Sequence, residues 1–191
     1  VKKVLPKLQV LAGENTQIKI LQDQSEKIMV NIDNVQFDLI FGAFLSVFTL
    51  FVFLRNTTAT FVSALAIPTS VIGTFAIIDA LGYDLNRLTL IGLTLAIGIF
   101  IDDAIVVIEN IMKKMESGME PFRASFEGAK EVAFSVLAIS SVLLAVFIPV
   151  AFMDGIVGMF FNSFAMTVAA GIVISYFVAI MFIPSIAARV L

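Results

Sequence analysis

Asp102 and Asp103 stand side by side in Gly98-Ile99-Phe100-Ile101-Asp102-Asp103-Ala104-Ile105-Val106-Val107-Ile108-Glu109-Asn110, inside an apolar run long enough to cross a bilayer. A carboxylate at membrane depth is costly, and ionisable residues kept there mark ion or proton pathways. No Lys, Arg or His interrupts any apolar run, although Arg87 stands at the start of one, so the pair has no basic partner nearby in sequence. Its counter-charge must come from another segment, or the acids must hold protons.

Two carboxylates about 5 Å apart repel by about 3 kcal/mol at an effective dielectric near 20. Burial penalises the charged form further. Without a cation, at least one acid should therefore be protonated at neutral pH. With a Lys or Arg delivered by another helix, both can ionise, and movement of that cation would load or release protons. Two other readings fit the same residues: a buried ionic lock, for which one acid would suffice, and a Na⁺ site, since adjacent carboxylates are good ligands for hard cations.

On a helix the two acids lie about 100° apart around the axis, so both cannot face lipid. Gly92, Ala96 and Asp103 fall on one stripe, because separations of seven and eleven residues return close to the same angle. Such a small-residue stripe lets a second helix approach the Asp103 face closely. A parallel stripe runs through Gly98, Asp102, Ile105 and Glu109. Glu109 reads either as a proton exit residue or as a carboxylate snorkelling to the interface.

The elements that must position these acids are membrane helices. Of 191 residues, 60% are hydrophobic and only 14% charged, outside the range of soluble domains. The net charge of −3 carries little information about partners, and nothing points to nucleic acid. The lack of Cys and His excludes disulfides, thiolate nucleophiles, Cys/His zinc sites, His-ligated haem and Ser-His-Asp triads. No metal site and no cofactor other than a coupling proton are expected.

Five apolar runs, about 37–54, 58–80, 87–112, 132–153 and 160–188, each approach or exceed the 17 to 25 residues of a spanning helix. Thr57 or Thr58 suits the N-cap of the second, and Pro121 the first turn of a short helix in the 113–131 link. Phe122 and Phe126 share a face of that helix, either resting on the membrane or incidental to a solvated connector. Arg55, Lys113, Lys114, Arg123, Lys130 and Arg189 fall on one side of the membrane, against Arg87 on the other. The positive-inside rule makes the richer side cytoplasmic. Residues 1–36 are polar, with strand-like alternation over 16–21 and a candidate helix cap at Ser25, and they would lie outside. No signal peptide is visible, and the opening Val1-Lys2-Lys3 is expected to be internal to a longer protein.

Other residues carry paired readings. Ser140, Ser141, Thr167 and Ser175 would line a hydrated path toward the acids, or bond their own helices. Pro68, Pro149 and Pro184 interrupt apolar runs as hinges or as static bends. Phe160, Phe161 and Phe164 are packing residues or a substrate entry point at the outer end of the fifth run.

The segment Leu93-Thr94-Leu95-Ala96-Ile97-Gly98-Ile99-Phe100-Ile101-Asp102-Asp103-Ala104-Ile105-Val106-Val107-Ile108-Glu109-Asn110 closely resembles the fourth membrane helix of the resistance-nodulation-division efflux pumps. Phe53-Leu54-Arg55-Asn56 with Ala59-Thr60 resembles the turn between that family's second and third helices. Ala66-Ile67-Pro68 and Gly73-Thr74-Phe75 resemble its third, Val146-Phe147-Ile148-Pro149-Val150-Ala151-Phe152 its fifth, and Pro184 its sixth.

The resemblance implies an all-α membrane protein: helices two to six of a twelve-helix domain in 37–191, preceded in 1–36 by the end of a periplasmic porter subdomain and a lead-in helix. It implies a proton-driven multidrug antiporter of the Gram-negative inner membrane, a homotrimer working with a periplasmic adaptor and an outer-membrane channel. Asp102 and Asp103 correspond to the family's proton relay, whose Lys lies on a tenth helix beyond this stretch. Heavy-metal exporters have Ala after the first Asp, so Asp103 favours the branch exporting hydrophobic and amphiphilic compounds. Without the porter region and the second half, these 191 residues are not expected to pump.

Two other function classes are weighed against that reading. An intramembrane aspartyl protease needs acids opposed from two helices and a Gly directly before one Asp, where this chain has Ile101. A membrane subunit of the same superfamily with a non-drug substrate, or one coupled to Na⁺, is the other.

Overall fold

The computed structural model describes residue 37, residues 40–52 and residues 55–191. The strand-like segment 16–21, the helix cap at Ser25 and the boundary near residue 36 lie outside the described residues. Helix α1 (Ile40–Val52) is the described part of the first expected span. Arg55 then turns the chain at φ 48° and leaves Asn56 extended. The Asn56 carboxamide oxygen accepts the N–H groups of Thr58 and Ala59 at 3.0 Å each, so Asn56, rather than Thr57 or Thr58, caps the next helix.

That helix is a rod, Thr57–Ala80, divided at Leu65 into α2 (Thr57–Ala64) and α3 (Ala66–Ala80). Pro68 explains the division, because it has no N–H to return to the carbonyl four residues earlier, that of Ala64. Helix α4 (Arg87–Glu116) opens on a reciprocal cap: Asn86 accepts from Leu88 and Thr89, and the Thr89 hydroxyl accepts from the Asn86 N–H.

Helix α5 runs unbroken from Pro121 to Ala151. The short connector helix expected at Pro121 and the fourth span are thus one rod. Gly128, inside this rod, lets Ile111 of α4 approach so closely that an added Cβ would lie 3.0 Å from its Cα. The last rod, Gly155–Val190, comprises α6 (Gly155–Phe177), a π-helical turn (Val178–Phe182) and α7 (Ile183–Val190). Pro184 sits just past the π turn, which takes up the register lost where the proline cannot donate. In the first turn of α6 only glycine fits at 158, where a Cβ would fall 1.7 Å from the Met153 carbonyl oxygen.

These four rods are long and apolar enough to cross a bilayer, and the described part of α1 is shorter. Helix α4 lies at the centre, packed against α3, α5 and α6. Its upper half joins Leu50 of α1 and Ile67 of α3 in one apolar cluster through Leu93, Ala96, Ile97, Phe100 and Ile101. Its lower half joins α2, α5 and α7 in a second, through Ala104, Val107, Ile108 and Ile111. Asp102 and Asp103 fall between the two. Among the described residues helix α5 is peripheral and turns Phe134, Ile139, Val142 and Val146 outward.

The two glycines of α4 differ sharply in surroundings. A Cβ at Gly92 would meet the Phe164 carbonyl oxygen of α6 at 2.9 Å, whereas one at Gly98 meets nothing within 4 Å. Gly92→Ala is expected to destabilise the bundle by about 1–3 kcal/mol and Gly98→Ala to leave it unchanged or stabilise it by up to about 1 kcal/mol, measured by denaturant unfolding in micelles.

Candidate functional site

The second helix foreseen for the small-residue face of α4 is α6. Gly92 lies against Phe164 and Thr167, Ala96 against Gly171, and Asp103 against Ser175. Residue numbers rise together on both helices, so the two spans run parallel. Thr167, Gly171 and Ser175, four residues apart, form the matching stripe of α6. A Cβ at Gly171 would stand 2.9 Å from the Phe100 ring and 3.1 Å from the Ala96 Cβ. This close approach brings Ser175 to the acid.

Asp103 is 4% exposed, and its Oδ2 accepts a hydrogen bond from the Ser175 hydroxyl at 2.7 Å. Asp102 points elsewhere. It is exposed, on a face of α4 shared with Ile91, Leu95, Gly98 and Glu109 that no described residue covers. The doublet is therefore split: one carboxyl is locked between α4 and α6, and the other is presented to whatever lies beside α4. Among the described residues no Lys or Arg forms an ion pair with either acid. The two ion pairs there are Lys114 with Glu131 at 2.6 Å and Arg123 with Glu127 at 2.9 Å, both toward the end of the bundle.

The four hydroxyl residues of the expected path separate. Ser175 reaches Asp103 directly. Thr167 is buried on the same stripe, but its hydroxyl donates to the Ser163 carbonyl of its own helix at 2.7 Å. Ser141 is exposed and bonds Leu137 in the same way. Ser140 is buried, and its hydroxyl has no partner among the described residues. Only Ser175 is thus joined to the acids by a hydrogen bond.

Phe164 packs edge-on against Phe147 and Phe161, with ring centres 6.2 and 6.1 Å away, while Phe160 and Phe161 are exposed. Sequence reasoning missed the tie between α4 and α5, where the Asn110 amide donates to the Gly128 carbonyl at 2.9 Å beside the Lys114–Glu131 pair. Asn110 was in view as the last residue of the acidic segment, but its spacing from Gly128 carries no local signal.

The chain, helical and with several spans apolar enough to cross a membrane, belongs to the AcrB/AcrD/AcrF family of resistance-nodulation-division transporters, whose model matches residues 1–191. Over all 191 residues it is 41% identical to multidrug resistance protein MdtC of Pectobacterium atrosepticum and 40% identical to the protein of the same name in Pectobacterium carotovorum subsp. carotovorum. The chain covers 19% of the length of each of these relatives.

Ser175→Ala would leave a buried carboxyl oxygen without its donor. The expected loss is about 1–3 kcal/mol of stability, with Ser175→Thr, which keeps a hydroxyl, closer to wild type in the same unfolding assay.

Proposed function

We propose that this chain is part of a proton-driven exporter of hydrophobic and amphiphilic compounds, and that Asp102 and Asp103 are its proton relay. The observation that carries the reading is the split doublet. Asp103, anchored on Ser175, reports to α6, while Asp102 faces an uncovered stripe in which Gly98 leaves room for another helix. A cation arriving on that stripe would stabilise both acids in the charged form, and its departure would favour proton uptake. Displacement of one helix group against another is thereby linked to proton binding, and the linkage is reciprocal.

The names of the two relatives support multidrug export as the task. In this reading the cation is a Lys on a later helix of the same transporter. The protein resides in the Gram-negative inner membrane, with residues 1–36 on the periplasmic side as the end of a porter subdomain and Arg189 on the cytoplasmic side. It assembles as a homotrimer with a periplasmic adaptor and an outer-membrane channel. The 191 residues alone would not export, since drug capture and the cation both lie outside them.

Drug accumulation in cells carrying the full-length transporter tests the relay. Asp102→Asn and Asp103→Asn are each expected to abolish export at unchanged expression. Normal efflux from both variants would remove the assignment, and export that follows an imposed sodium gradient instead of a proton gradient would replace the coupling ion.

A further inference from the structure

Several serine and threonine hydroxyls inside these helices donate to the carbonyl four residues earlier, as those of Thr60, Thr74, Ser141, Thr167 and Ser185 do. Ser125, in the second turn of α5, does not. It is 1% exposed, and its hydroxyl, like those of Ser63, Ser70 and Ser140, has no partner among the described residues; of the four, it is the one whose residue lines a cleft with a cation at its margin. An unspent buried hydroxyl is costly unless something outside the fold completes it.

Ser125 lines a cleft of about 300 Å³ between the start of α5 and α7. Phe122 and Phe126 form one wall, Pro184 and Ser185 the other, and Arg189 lies at its margin. The two phenyl rings are 71% and 67% exposed, four residues apart on one helix face. Arg189 is exposed and has no carboxylate partner among the described residues, whereas Arg123 is held by Glu127 at 2.9 Å. The cleft thus offers a hydroxyl donor, a cation and flanking apolar rings at the end of the bundle where Lys113 and Lys114 also lie. A phosphate esterified to an acyl-bearing glycerol matches that set, since the oxygens take the guanidinium and the hydroxyl while the adjoining carbons lie on the rings.

We propose that this cleft binds the headgroup phosphate of an anionic phospholipid. Its assignment to the cytoplasmic leaflet rests on the orientation proposed above, but the binding chemistry does not. Occupancy would brace α7 against α5 next to the π turn, at the far end of the rod that carries Ser175.

Native mass spectrometry of the purified protein in detergent, with phosphatidylglycerol, phosphatidylethanolamine or inorganic phosphate added, tests the site. Wild-type protein is expected to retain phosphatidylglycerol in preference to phosphatidylethanolamine, and inorganic phosphate is not expected to displace it. Arg189→Gln should lower retention about fivefold and Ser125→Ala about threefold, while Arg87→Gln, the same charge change at the other end of the bundle, leaves it unchanged. Equal retention of the two lipids, wild-type retention by Arg189→Gln, or displacement by inorganic phosphate would overturn the proposal. Should a variant fail to fold, cross-linking of a headgroup-photolabelled phosphatidylglycerol to the wild type decides the matter. Labelling of residues 121–130 or 183–191 is expected, and labelling confined to other segments contradicts it.

Discussion

A carboxyl group carried into a bilayer has no bulk water to complete its hydrogen bonds, so its surroundings must supply them or it cannot stay. The bond from Ser175 to Asp103 meets that requirement, and the packing around it follows from the need to bring the two side chains within 2.7 Å. Parallel spans must come close over several turns for a short serine to reach an aspartate. Gly92, Ala96 and Gly171 allow it, because larger side chains at those positions would collide with the backbone of α6 or with the Phe100 ring.

The same constraint explains why the doublet is asymmetric. Consecutive residues point about 100° apart around a helix, and with Asp103 turned to α6, Asp102 falls on the face that no described residue covers. The two acids thereby have different surroundings, one buried and one exposed, although they sit on consecutive residues. The apolar clusters above and below keep α4 rigid at this level, while the bends lie elsewhere, at Leu65 before Pro68 and at the π turn before Pro184. One of those bends begins three residues after Ser175 on the same rod.

Much of this was legible in the sequence, for physical reasons that can be named. Apolar runs of membrane length give spanning helices with few competing outcomes, and the 3.6-residue period put Gly92, Ala96 and Asp103 on one stripe before any partner was known. Which helix would fill that stripe was not legible, because contacts between α4 and α6 are separated by some seventy residues and depend on the whole bundle. Ser175 was in view only as one of four hydroxyls. The other three satisfy their own backbone, face outward or lack a partner, and local sequence does not separate these fates. Boundaries were least secure where two signals compete: Asn56 outranked the following threonines as a cap once Arg55 had turned the chain, and the helix begun at Pro121 ran on into the fourth span instead of stopping short of it.

Infrared difference spectroscopy of the protein in lipid, recorded across a pH step, tests most directly whether the doublet exchanges protons in place. A carbonyl-stretch band of a protonated carboxyl is expected, lost in Asp103→Asn or Asp102→Asn according to which acid holds the proton, and moved in frequency by Ser175→Ala. If no such band appears, and both acids stay ionised down to the pH at which aspartate in water is protonated, the account is contradicted.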